Sequence, residues 1–139
     1  MKKTSINNCS IINLPKIEDE KGRGNLAVIE KDIIPFKLER VYYLYDVPST
    51  AIRGGHAHKN LYQFLIPLSG SFDVILDDGK NKVKYMLNKP NKGLLITPGI
   101  WRELENFSSG AVCLVLASDV YEEADYIRDY NSFLNYKKY

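Results

Sequence analysis

The chain of 139 residues is the length of one domain, and its 45% hydrophobic and 26% charged content is ordinary for a globular protein with a proper core. A net charge of +2, from 19 basic and 17 acidic residues scattered without a dense stripe, leaves no electrostatic footprint for nucleic acid. The opening MKKTSINN has no apolar run behind its lysines, no segment is long enough to span a bilayer, and two cysteines make no disulfide framework, so a single cytoplasmic domain over 1–139 is expected.

In chain order, short apolar runs separated by turn residues predict strands at 11–14, 24–30, 38–46, 54–58, 61–69, 70–77, 82–87, 93–97, 101–106 and 111–117. Asp78–Gly79 is expected to supply the positive backbone angles of a tight hairpin turn. Pro67 in an apolar run points to a strand edge or a bulge, and Cys113 in AVCLVLAS to the core. After Ser118 the period changes: Tyr126, Ile127, Tyr130, Phe133 and Leu134 recur at helical spacing, predicting one helix over about 121–135. Glu122, Glu123 and Asp125 would then sit in its first turn, at the positive end of the dipole. The fold class is all-β with one C-terminal helix.

Both histidines of the chain lie in RGGHAHK, two positions apart. On a strand, His56 and His58 share a face, so in a small barrel both imidazoles project inward. Metal ligation, acid–base chemistry and half-buried packing all remain open for such a pair. Gly54 and Gly55 just before them let another backbone or a ligand approach closely.

The wider spacing resembles the cupin family of small jelly-roll β-barrels. Its first motif is matched by His56, His58, Gln63 and Gly70, and its second by Gly93, Pro98, Arg102 and Asn106. In metal-binding cupins a glutamate and a histidine stand where this chain has Gln63 and Arg102. A neutral amide is a weak ligand and a guanidinium has no lone pair to give, so a metal-free pocket is expected, with the imidazoles free for acid–base work.

More closely, GRGNLAVIE, IPFKLERVYYLYD, RGGHAHK, VILDDG, PGIWRELENFSS and LASDVYEEADYIRDYNSF resemble the WxcM-like sugar nucleotide 3,4-ketoisomerases over nearly the whole chain. The resemblance implies conversion of a dTDP-linked 4-keto-6-deoxyglucose to a 3-keto-6-deoxyhexose, with no cofactor. It also implies a product destined for 3-amination and surface polysaccharide, and a homodimer with exchanged N-terminal strands. His56 is then the base at C3 and His58 its proton-shuttling partner, with Tyr42 assisting and Arg102 stabilising the enediolate oxygens. Arg40 and Arg53 match positions associated with the nucleotide, Lys59 adds a point charge, and Arg23 matches an active-site position in some members. Gln63 lies in the pocket by its motif position. Trp101, Tyr42 and Tyr43 are candidate walls for thymine or hexose, with Tyr43 assigned to the core because adjacent strand residues face opposite sides. Arg102 resembles the family's gluco-product type and Arg23 its galacto-product type; the gluco product is expected, because Arg102 belongs beside the reacting carbons.

Overall fold

The computed structural model describes residue 6 and residues 8–138; most of the MKKTSINN opening lies outside them. Twelve strands are present among the described residues: β1 Ser10–Asn13, β2 Lys16–Glu18, β3 Asn25–Ala27, β4 Arg40–Leu44, β5 Arg53–His58, β6 Gln63–Ser69, β7 Phe72–Asp77, β8 Lys82–Leu87, β9 Lys92–Ile96, β10 Trp101–Glu105, β11 Val112–Ala117 and β12 Tyr126–Ile127. One α-helix, α1 Tyr130–Lys137, closes the chain. Two five-stranded antiparallel sheets face each other, ordered β1-β9-β6-β11-β4 and β12-β5-β10-β7-β8. The all-β class is as expected. The sheets are not joined by hydrogen bonds into a closed barrel, and β2–β3 forms a separate two-stranded ribbon.

Alternation along each strand builds the layers. Phe72, Val74 and Leu76 of β7 meet Leu65, Leu94 and Val115 of the opposite sheet in the main core. Cys9 and Cys113 are buried there too, and burial pushes the Cys113 thiol up to about 12. A second apolar layer, around Phe64, Ile66 and Leu116, is covered on the outer face by Leu14, Ile34 and their neighbours. A third holds Ala57, Trp101, Ile127 and Phe133, so α1 braces the back of β5.

The structure changes several expectations. The helix starts at Tyr130 and not near 121, because Tyr126 and Ile127 pair with His58 and Ala57 as strand β12. Asp129 caps it instead, accepting from the Ser132 N–H at 2.9 Å. Glu123 and Asp125 lie in a preceding 3₁₀ turn. In the hairpin after β7 only Gly79 has positive φ, at 95°; the Asp78 carboxylate accepts from the Lys80 and Asn81 N–H groups. The bulge expected at Pro67 is present: Val112 pairs with Ser69 and Cys113 with Pro67, which leaves Leu68 as the extra residue of β6. Tyr43 is not a core residue: it is 59% exposed on the outer face of the edge strand β4. The 24–30 run shortens to β3, and β2 appears where no strand was expected.

The glycine pair has a defined task. Arg102 of β10 pairs with His56 and Glu103 pairs with Gly54, which leaves Gly55 as the extra residue of a bulge. Gly54 and Gly55 take φ of 85° and 68°, and a Cβ on Gly54 would lie 2.9 Å from the Arg102 carbonyl oxygen. A Cβ on Gly55 meets nothing within 4 Å. Gly54→Ala is therefore expected to cost about 2 kcal/mol or more, through strain and the clash together, and Gly55→Ala about 1 kcal/mol through strain alone. Urea unfolding of the two variants checks the order; equal losses would refute the steric account.

Candidate active site

The bulge decides what faces inward. Arg53 and His56 are three residues apart and would point to opposite faces of a regular strand. With Gly55 extra, Arg53 pairs with Leu104 and His56 with Arg102, so both lie on the cavity side. His56 and His58 share that face, with ring centroids 4.9 Å apart and planes at 85°. The cavity between the sheets holds about 390 Å³. Tyr42, Gln63 and Leu65 line it from one sheet, His56, Arg102 and Leu104 from the other, and Arg40, Arg53, Tyr126 and Arg128 complete its wall.

Arg102 is 2% exposed. Its Nη1 donates to Gln63 Oε1, and Nε and Nη2 donate to the Ile100 carbonyl at 3.3 and 3.1 Å. Among the described residues no carboxylate pairs with it. Burial lowers its pKa to about 10, which still leaves a cation at neutral pH. Gln63 passes the polarity on: its Nε2 donates to Tyr42 Oη at 3.0 Å. That oxygen is occupied as an acceptor, so the phenolic proton is available to a ligand. Burial raises the Tyr42 pKa, keeping the phenol protonated.

Both imidazoles are neutral. Burial first, then the Arg102 charge, pulls His56 down to about 4 and His58 to about 2. His58 Nδ1 lies 3.0 Å from Asp125 Oδ2; with a neutral ring this is an N–H to carboxylate hydrogen bond and not an ion pair. Among the described residues, His56 Nδ1 and His58 Nε2 are buried without hydrogen-bond partners. Such free ring nitrogens are what a proton-transfer site requires.

The remaining expected residues divide. Arg40 stacks over Tyr42, its guanidinium carbon 5.2 Å from the ring centroid, with a buried, unpartnered Nε. Lys59 follows β5, outside the cavity lining. Trp101 is a correction: next to Arg102 on the strand, it faces the other way, buried against Tyr130 and Phe133 and donating to Glu103. Arg23 is 71% exposed on the β2–β3 ribbon, in a paired contact with Asp19, and lines no part of this cavity within one chain. Asp125, Tyr126 and Arg128 were missed. Tyr126 and Arg128, two apart with apolar Ile127 between them, carry strand alternation that the longer helical period masks. The other cupin-motif positions are architectural: a Cβ on Gly93 would overlap the Phe64 ring, Gly70 turns at φ 69°, and Asn106 bonds Asp73.

A second cavity of about 450 Å³ is lined by His58, Tyr126 and Arg40 together with Asp119, Glu122 and Asp125; His58 lines this cavity and not the first. Its carboxylates oppose an anion, whereas the arginines of the first cavity suit one. Among the described residues no group of three or more histidine, cysteine or acidic side chains converges as for a metal ion. No helix there is long and apolar enough to cross a membrane.

Residues 7–138 match the family described as FdtA: WxcM-like, C-terminal. The chain belongs to the WxcM-like family of sugar nucleotide 3,4-ketoisomerases. It is 48% identical, over 91% of its length and 90% of the relative's, to a TDP-4-oxo-6-deoxy-alpha-D-glucose-3,4-oxoisomerase of Aneurinibacillus thermoaerophilus. It is 52% identical to the TDP-quinovose 3,4-ketoisomerase WlaRB of Campylobacter jejuni, covering 94% and 99% of the two chains with a TM-score of 0.87. The sugar 3,4-ketoisomerase QdtA of Thermoanaerobacterium thermosaccharolyticum, solved in complex with TDP, is 41% identical over 96% and 97%, with a TM-score of 0.91.

Because folding holds both rings neutral, the unfolded chain binds protons that the folded chain refuses below the ordinary histidine value of 6.5. This contribution to stability is complete above pH 6.5 and is lost as pH falls toward 4. The urea midpoint is expected to drop across that window, and to drop less in a His56→Asn/His58→Asn double variant. Identical profiles would show that the imidazoles are not held neutral.

Proposed function

We propose that the protein converts dTDP-4-keto-6-deoxyglucose to the 3-keto-6-deoxyglucose isomer by metal-free proton transfer through an enediol(ate). The observation that carries this is a neutral imidazole, His56, opposite a buried guanidinium that lacks a counter-anion in the same cavity. His56 removes the C3 proton, which the neighbouring ketone acidifies. The C–H electron pair becomes the C3–C4 double bond, and the C4 oxygen takes the negative charge. Loss of the C3 hydroxyl proton then rebuilds a carbonyl at C3 while a proton is delivered to C4. One proton leaves carbon and one returns, so no external oxidant is consumed. Arg102 stabilises the charge on the enediolate oxygens, Tyr42 donates its free proton to a sugar oxygen, and His58 shuttles between the oxygens.

Arg40 and Arg53 hold the pyrophosphate at the cavity wall, joined by Arg128, whose guanidinium now pairs with Glu123 at 2.8 Å. The gluco configuration is favoured because Arg102 borders the cavity; quinovose, named for the WlaRB relative, is 6-deoxyglucose. The product would pass to a 3-aminotransferase on the way to a 3-amino-3,6-dideoxyhexose of surface polysaccharide, in the cytoplasm.

The dimer with exchanged N-terminal strands fits the ribbon. Among the described strands β2 and β3 bond only to each other, and Ile17 and Leu26 are exposed on them. An arm reaching a second copy would bury those side chains and carry Arg23 toward the partner's cavity, which accounts for its distance from His56 within one chain.

With the 4-keto sugar nucleotide, His56→Asn is expected to lose about 10³-fold in kcat with KM within a few-fold. Solvent deuterium should enter at C4, and product NMR should show the gluco configuration. Wild-type turnover by His56→Asn sinks the base assignment; a galacto product sinks the stereochemical one. Sedimentation should give twice the 15.9 kDa chain mass, and a monomer at working concentration would exclude strand exchange.

A further inference from the structure

The turn before β12 places one carboxylate behind His58. Asp125 Oδ2 faces His58 Nδ1 at 3.0 Å, and its Oδ1 accepts the Asn60 N–H at 2.7 Å. The Asp125 carbonyl accepts from the Lys59 N–H at 2.9 Å, and Tyr126 pairs with His58 across the strands. Asp125 is thus fixed from three directions by the end of the strand that carries the histidines. Asp125 lines the second cavity beside His58, outside the sugar cavity, and both of its carboxylate oxygens are already engaged, by the His58 ring and by the Asn60 N–H.

We propose that Asp125 is a positioning residue that locks His58 as the Nδ1–H tautomer, so that Nε2 presents its lone pair toward the interior beside His56. A carboxylate can only accept, so the ring nitrogen facing it must carry the proton. The other nitrogen is then obliged to be basic, and it is the one left buried without a partner. His56 packs edge-on against the ring and Tyr126 packs tilted at 60°, with centroids at 4.9 and 4.3 Å, and both crowd a flip that would carry Nδ1 away from Asp125. The proposal rests on the isomerase reading for its rate effect, and on geometry alone for the tautomer.

Asp125→Asn tests it. The amide oxygen of the variant stays on the Asn60 N–H, which turns the NH₂ group toward His58 Nδ1. That nitrogen must now accept, and the ring proton moves to Nε2. The chain has only two histidines, so long-range ¹H–¹⁵N spectra of the uniformly labelled full-length protein resolve both rings. In the wild type, His58 is expected as Nδ1–H; in Asp125→Asn it is expected as Nε2–H. With the 4-keto sugar nucleotide, kcat should fall roughly 10²-fold with KM within three-fold, and Asp125→Glu, which keeps an acceptor, should recover part of the loss. A wild-type Nε2–H tautomer overturns the proposal outright, even if Asp125→Asn does not fold. An unchanged tautomer and kcat in a folded Asp125→Asn overturns it as well. If the wild type shows no turnover at all, the isomerase reading fails while the tautomer readout still decides this one.

Discussion

Arg102 brings a full positive charge into the middle of the fold and meets only neutral acceptors there. A buried ion without a counter-charge is costly, and the cost is reduced here by hydrogen bonds from three nitrogens to the Gln63 amide and the Ile100 carbonyl. Much of the site's character follows from that arrangement. The amide whose oxygen accepts from the guanidinium donates through its Nε2 to the Tyr42 oxygen, which in turn leaves the phenolic proton for a ligand. The same charge helps keep both imidazoles deprotonated, as bases must be. It also rewards any ligand that develops negative charge in the cavity, because the energy of meeting an anion has been left unspent.

Holding such a set in register takes backing from both sides of β5. The bulge at Gly54–Gly55 turns Arg53 onto the same face as His56, while Ala57, between the histidines, is buried under Phe133 and Ile127 on the other face. The C-terminal segment therefore serves the chemistry twice. Its strand β12 extends the sheet past the histidines and adds Tyr126 to the cavity, Arg128 joins it just after the strand, and its helix packs against the back of the strand that carries the histidines.

How much of this was legible in the sequence depends on which physical rule governs each residue. Strand alternation placed His56 and His58 on one face, and motif position placed Gln63 and Arg102 in one pocket, where they are hydrogen-bonded. Both are local properties that a one-dimensional reading captures. The same parity rule could have excluded Trp101, since a neighbour of an inward Arg102 must face outward. Its aromatic character suggested a sugar wall, and tertiary packing against α1 claimed it instead. Asp125, Tyr126 and Arg128 were hidden because the two-residue strand Tyr126–Ile127 that places them lies inside a stretch whose apolar residues also fit a helical period. Only pairing with β5 decides between the two, and pairing is long-range information.

Tyr43 and Arg23 depart from the single-chain picture in a different way, and for a shared reason. The parity argument for Tyr43 was sound, since Tyr42 faces the cavity and Tyr43 the opposite side. What it lacked was knowledge of what covers that opposite side. On β6 and β11 the outer face is sealed by Ile34 and Leu14, but β4 is an edge strand and its outer face is open within one chain. Arg23 is likewise on a ribbon whose apolar side chains, Ile17 and Leu26, are more than half exposed among the described residues. A sequence specifies which side of a strand is apolar; whether that side is core or contact surface depends on neighbours, in the same chain or in another, that no local pattern contains.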